Sequence, residues 1–140
     1  MIVSQMPVSV LFLYCIAVAF LEIYLPFLVV AYARLSIGYD YSAPRAMFDK
    51  LPPYGQRATW AHQNCFEGFM IFAVAALMAY VTGVNSPASA YAALTFITVR
   101  LLYSVFYILD IALARSLMYA VGLACSCTLL VLSIIQASSN

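Results

Sequence analysis

The chain has 140 residues, 66% hydrophobic and 8% charged, and a formal net charge of +1. That length holds one domain, and the charge balance offers no basic surface for a nucleic acid. A soluble domain carries about a quarter charged residues, so the composition describes a membrane protein instead.

The first predicted span covers about residues 7–34. It lacks a basic amino-terminal flank and outruns a signal-peptide core, so it reads as a retained span. Pro7 suits a first helical turn, whereas Pro26 falls inside and is expected to kink the helix or loosen its hydrogen bonding. Residues 35–55 are the one sizeable loop, punctuated by Gly38, Pro44, Pro52, Pro53 and Gly55 and carrying Arg45 and Lys50. The second span runs over about 56–82. Gly83, Asn85, Ser86 and Pro87 then make a tight connection, with Pro87 able to open the next helix. The third span covers about 88–110 and the fourth about 114–135, followed by a polar tail from Gln136 to Asn140. A turn is expected between Asp110 and Arg115, because one helix through both spans would far exceed a bilayer. The predicted fold is an all-α, integral-membrane four-helix bundle of antiparallel up-down topology, a single domain over 1–140.

The basic residues other than Arg100 lie in or near the first and third connections. The positive-inside rule therefore places those connections in the cytoplasm and both termini on the other side. Cys15, Cys65, Cys125 and Cys127 read as free thiols in apolar stretches, without metal or redox spacing, and no metal site is predicted. Ala120, Gly122, Ala124 and Ser126 permit close helix approach.

Charges in the apolar runs carry the functional signal, because a charge in hydrocarbon is costly unless paired or facing a polar cavity. Arg57, Trp60, Asn64 and Glu67 are spaced to form one stripe on the second span. Arg100, Tyr103, Tyr107 and Asp110 repeat that spacing on the third. Glu67 lies roughly 15 Å into its helix from Arg57 at 1.5 Å per residue, and Arg100 lies equally deep from Asp110. Glu22 reaches a similar level on the first span. Charges of both signs are thus expected to meet near one depth. His62 alone is uninformative, and Gln63 lies beside or behind the stripe. Two readings stand: a buried ion-pair network that fixes helix register, or a ligand site or transport path. A ligand matching both signs would be zwitterionic or anionic, its carboxylates on Arg57 and Arg100 and its ammonium on Glu67.

Arg57-Ala58, followed by Ala61-His62-Gln63-Asn64-Cys65-Phe66-Glu67, resembles the second-helix motif of the membrane-associated proteins in eicosanoid and glutathione metabolism (MAPEG). Arg100-Leu101-Leu102-Tyr103, then Tyr107 and Ala114-Arg115-Ser116, resemble that family's third helix and following turn, most like its bacterial members. The resemblance implies a homotrimer in a bacterial inner membrane, with glutathione as co-substrate held between subunits. It implies addition of the glutathione thiolate to lipophilic electrophiles, or reduction of lipid hydroperoxides. By position, Asn64, Glu67, Tyr103 and Tyr107 carry over as glutathione ligands and Arg115 as the arginine near the sulfur, with Arg100 second. Arg57 matches a flanking arginine, and Trp60 stands where well-studied members have a glutathione-binding arginine. A non-catalytic membrane scaffold or regulator is the alternative, and a small transporter the third reading.

Overall fold

The computed structural model describes residues 6–139. Four long helices follow one another: α1 (Val8–Ser36), α2 (Pro53–Thr82), α3 (Pro87–Ile108) and α4 (Ala112–Ser138). Each is long and apolar enough to cross a bilayer, and together they form an integral membrane bundle. The loop between α1 and α2 is not featureless, since Pro44–Lys50 winds into a short 3-10 helix.

Side-chain contacts show the antiparallel arrangement. Arg57 near the start of α2 meets Ile108 at the end of α3, Cys65 meets Ser104, and Phe72 meets Phe96. The α3–α4 pair runs the same way, with Tyr103 beside Tyr119 and Arg100 beside Gly122.

Local chemistry explains the helix ends. α2 starts at Pro53, where a missing N–H costs nothing because the first turn has no acceptor for it. It stops at Gly83, whose φ of 73° is readily adopted only without a Cβ, and Val84 N–H returns to Ala79 O at 2.9 Å. α3 begins behind Ser86, whose Oγ accepts the Ser89 N–H at 3.2 Å in a reciprocal capping box.

The connection between α3 and α4 lies at the start of the interval where a turn is expected. Hydropathy is continuous there, and the chain turns over residues 109–111. Asp110 takes a left-handed φ of 64°, Asp110 N–H reaches Tyr107 O at 3.2 Å, and Ile111 N–H reaches Phe106 O at 2.9 Å. With those carbonyls satisfied, α4 restarts at Ala112 and Arg115 sits on its first turn. At its far end α4 continues to Ser138, so most of the expected tail is helical, while Asn140 lies outside the described residues.

α1 runs through Pro26 without a break. The proline has no N–H for the Glu22 carbonyl one turn back. On the adjoining residue, Ile23 O lies 2.8 Å from His62 Nδ1 of α2. A carbonyl only accepts, so that ring nitrogen carries the proton. Phe27 and Phe66 flank the ring, at 5.2 and 5.3 Å between centroids. His62 therefore joins α2 to the proline turn of α1, a role that its isolated place in the sequence does not reveal.

The half of the bundle nearer Gly83 is apolar. Phe72 and Phe96 stack at 3.9 Å, among Phe12, Leu129 and the alanines 75, 76 and 79 of α2. Those small residues let neighbouring backbones approach, which is the packing available where lipid competes equally for apolar surface. On α4, Gly122 and Ser126 are buried within the bundle whereas Ala120 and Ala124 are exposed, as expected of two pairs on different helix faces.

Candidate functional site

The residues of the two polar stripes occupy the opposite half, where the first turns of α2 lie against the last turns of α3. Helical spacing puts Trp60, Asn64 and Glu67 along one edge of α2, with Gln63 beside them. Tyr103 and Tyr107 face them from α3. These side chains line an open groove of about 410 Å³, within the range of small-molecule sites. Trp60, 43% exposed, also packs against Phe48 of the 3-10 helix at 5.5 Å, which brings the loop to the groove.

Behind the groove lies Arg100, only 4% exposed. Its Nη2 donates to Asn64 O at 2.8 Å and to Asn64 Oδ1 at 3.0 Å. The guanidinium also sits 4.4 Å from the centroid of the Tyr103 ring. With its oxygen engaged, Asn64 turns its amide nitrogen outward, and Nδ2 donates to Glu67 Oε2 at 3.4 Å. A relay thus runs from a buried cation through an amide to an exposed carboxylate. Room for the guanidinium comes from Gly68: a methyl group there would lie 2.9 Å from Arg100 Cζ. Gly122 of α4 approaches the same side chain with ordinary spacing, a methyl group lying 3.5 Å from Arg100 Cδ.

Two further arginines frame the groove. Arg115 stacks its guanidinium 4.5 Å from the Tyr107 ring centroid, which sets a cation beside a groove-lining phenol. Arg57 Nε donates to Ile108 O at 2.9 Å, and its Nη1 lies 3.8 Å from Asp110 Oδ2. That geometry caps the end of α3.

Of the residues singled out from sequence, Trp60, Asn64, Glu67, Tyr103 and Tyr107 come together in the groove wall. Arg115 adjoins it through Tyr107. Arg100 and Arg57 do not line it: the first supports the wall from inside, and the second holds the neighbouring turn. Gln63 lines the groove although the stripe left it aside. Gly68 was also missed, yet it carried a signal, because a glycine inside a helix costs about 1 kcal/mol and often marks a close approach.

The expected meeting of charges at one depth resolves into two sides. Glu67 faces the groove. Glu22, 9% exposed, points into the bundle, where it shares a small cavity with Arg100 and Cys65. A lateral cleft of about 70 Å³ starts at Glu67 and Arg100 and extends past Tyr119 toward Ile71 and Leu123. Among the described residues no cluster of histidine, cysteine or carboxylate side chains is arranged to hold a metal ion.

Comparison with protein-family models matches residues 11–135 to the MAPEG family. No curated protein and no solved structure matches the chain.

Proposed function

The chain belongs to the MAPEG family, and from that premise we propose that the groove binds glutathione for a membrane transferase or peroxidase reaction on lipophilic substrates. The observation that carries this reading is the Arg100–Asn64–Glu67 relay. It presents an anchored carboxylate beside amides and phenols in one open groove, with the Arg115 cation adjoining through Tyr107. Glutathione offers an ammonium, two carboxylates, amides and a thiol, and the residues in and beside the groove answer the ammonium, the amides and the thiol. Glu67 takes the ammonium, Asn64 and Gln63 the peptide groups, and Tyr103 and Tyr107 line the far wall. Arg115 favours the thiolate, which is the reacting nucleophile, because an adjacent cation stabilises the charged form. Arg100 acts as a positioning residue, holding Asn64 and Tyr103.

Beyond Glu67 and Arg100 the lateral cleft is walled by Ile71, Phe96 and Leu123, and that end suits the lipophilic partner arriving from the bilayer. A homotrimer in a bacterial inner membrane, its termini on the non-cytoplasmic side, completes the proposal. In it a neighbouring copy covers the groove.

The test is calorimetric titration of the detergent-solubilised protein with glutathione. Saturable binding is expected, weakened about tenfold or more in Glu67→Gln, since a charged hydrogen bond contributes about 1.5–3 kcal/mol. The variant is expected to stay folded because Glu67 is exposed. In Arg115→Ala, turnover with an aromatic electrophile falls and the apparent thiol pKa rises by about one unit, equivalent to about 1.4 kcal/mol. An unchanged pH profile removes Arg115 from that role. Trp60 favours a second reading, because it puts an indole where the family resemblance expects a cation. Absence of glutathione binding, with the polar residues needed only for assembly, points to a scaffold or regulator.

A further inference from the structure

Arg100 is a permanent cation inside a membrane bundle, and Glu67, the exposed carboxylate of the relay, reaches it only through Asn64 and makes no ion pair with it among the described residues. A buried guanidinium cannot shed its charge, so its counter-charge has to come from elsewhere. The only salt bridge among the described residues joins Arg57 to Asp110. Glu22 is the one buried carboxylate among them, and its Oε2 has no hydrogen-bond partner among the described residues. Glu22 and Arg100 both line a cavity of about 10 Å³, with Cys65, Phe69 and Phe96 around it. That volume is about what one water needs, and such a water needs two to four polar partners. The hydrogen bonds of Arg100 to Asn64 use Nη2 alone, which leaves other guanidinium N–H groups to donate.

We propose that Glu22, through a single water in this cavity, is the internal counter-charge of Arg100 and a positioning residue for the groove. The consequence lies at Glu67. Because Glu22 compensates the cation from within, Arg100 does not draw Glu67 inward, and the groove carboxylate stays available for a ligand ammonium. Without Glu22, Glu67 becomes the nearest compensating charge and is diverted from ligand binding. The part of this inference that concerns ligand binding rests on the glutathione reading above. The charge coupling between Glu22 and Arg100 does not.

The experiment has two arms on the detergent-solubilised full chain. In the first, thermal unfolding is compared for wild type, Glu22→Gln, Arg100→Gln and the double variant. Each single substitution is expected to lower the melting temperature, and the double to recover part of the loss. Additive losses overturn the proposal, as does a silent Glu22→Gln, which would mean an uncharged carboxyl. A Glu22→Gln chain that fails to fold where the double variant folds is coupling in its strongest form.

In the second arm, glutathione is titrated into Glu22→Gln, Glu22→Asp, Glu67→Gln and the Glu22→Gln/Glu67→Gln pair. Glu22→Gln is expected to weaken binding about tenfold, the worth of one charged hydrogen bond, and Glu22→Asp, which keeps the charge, to bind close to wild type. In the Glu67→Gln background the Glu22 substitution is expected to add nothing, because its effect passes through Glu67. A merely structural role would give independent losses, and that result overturns the positioning role. If wild type binds no glutathione, the proposed function falls, and the unfolding arm alone decides the Glu22–Arg100 pairing.

Discussion

The two halves of this bundle are held together by different means. Toward Gly83, the helices meet through apolar contacts, with the Phe72–Phe96 stack and the alanines of α2 at their centre. Toward the groove, they meet through directional bonds: Arg57 to Ile108, His62 to Ile23, Cys65 to Ser104 and Arg100 to Asn64. Among the described residues, every side-chain hydrogen bond between helices lies in this polar half. The difference teaches where geometry is specified. Apolar packing in a bilayer tolerates small slides, because lipid contacts replace protein contacts at little cost. Hydrogen bonds with no water to replace them fix register, and a groove needs fixed register to present Glu67 and two phenols together.

The comparison breaks first at Arg100. Replacing it with leucine leaves the buried Glu22 without its cation and Asn64 without its donor. The expected destabilisation is about 3–5 kcal/mol, that of a buried pair deprived of one partner. Phe72→Ala, in the apolar half, leaves a cavity of ~100 Å³ and is expected to cost about 2 kcal/mol from the cavity term alone. Denaturant unfolding in detergent micelles ranks the two. A larger loss for Phe72→Ala would show that the apolar half dominates stability.

Two glycines sharpen the same comparison on a finer scale. Gly68→Ala puts a methyl group 2.9 Å from Arg100 Cζ, and the guanidinium has to shift off Asn64. Overpacking of this kind costs about 1–3 kcal/mol, and glutathione affinity is expected to fall with it. Gly122→Ala meets the same arginine at 3.5 Å, an ordinary contact. There the gain in helix propensity, up to about 1 kcal/mol, makes the substitution neutral or stabilising. Unfolding and titration of both variants check the contrast, and equal behaviour would mean that Arg100 is not held by its α2 neighbour.

Much of this was legible in the sequence because periodicity and hydropathy carry it. Four spans follow from the long apolar runs, and helical spacing alone brings Trp60, Asn64 and Glu67 to one edge. Other features depend on backbone partners, which no side-chain pattern encodes. Arg57 belongs to the same stripe, yet its partner is the carbonyl of Ile108, so it caps a helix instead of facing the groove. His62 likewise bonds a backbone carbonyl, that of Ile23 in the turn before Pro26. Arg100 shares the stripe of Tyr103 and Tyr107, but a long side chain at a helix contact can turn inward, and the space opposite Gly68 decided which way it went. Bilayer length called for an α3–α4 turn near Asp110, but its exact residues were not legible, because a left-handed aspartate without glycine or proline nearby leaves little mark in composition.

That turn supplies the smallest test. Arg57 makes two contacts there, a 2.9 Å hydrogen bond to Ile108 O and a 3.8 Å ion pair with Asp110, whose side chain is 67% exposed. An exposed pair at that distance contributes little, because water screens it and both side chains lose freedom. The carbonyl bond satisfies an acceptor at the end of α3 that the helix leaves open. Arg57→Leu is therefore expected to cost about 0.5–1.5 kcal/mol. Asp110→Asn should stay within about 0.5 kcal/mol of wild type, since asparagine also tolerates the left-handed conformation. Unfolding of the two variants separates the contributions. If Asp110→Asn proved as costly as Arg57→Leu, the ion pair would be the clamp, and the polar half would owe its register partly to charge at its surface rather than to bonds between its helices.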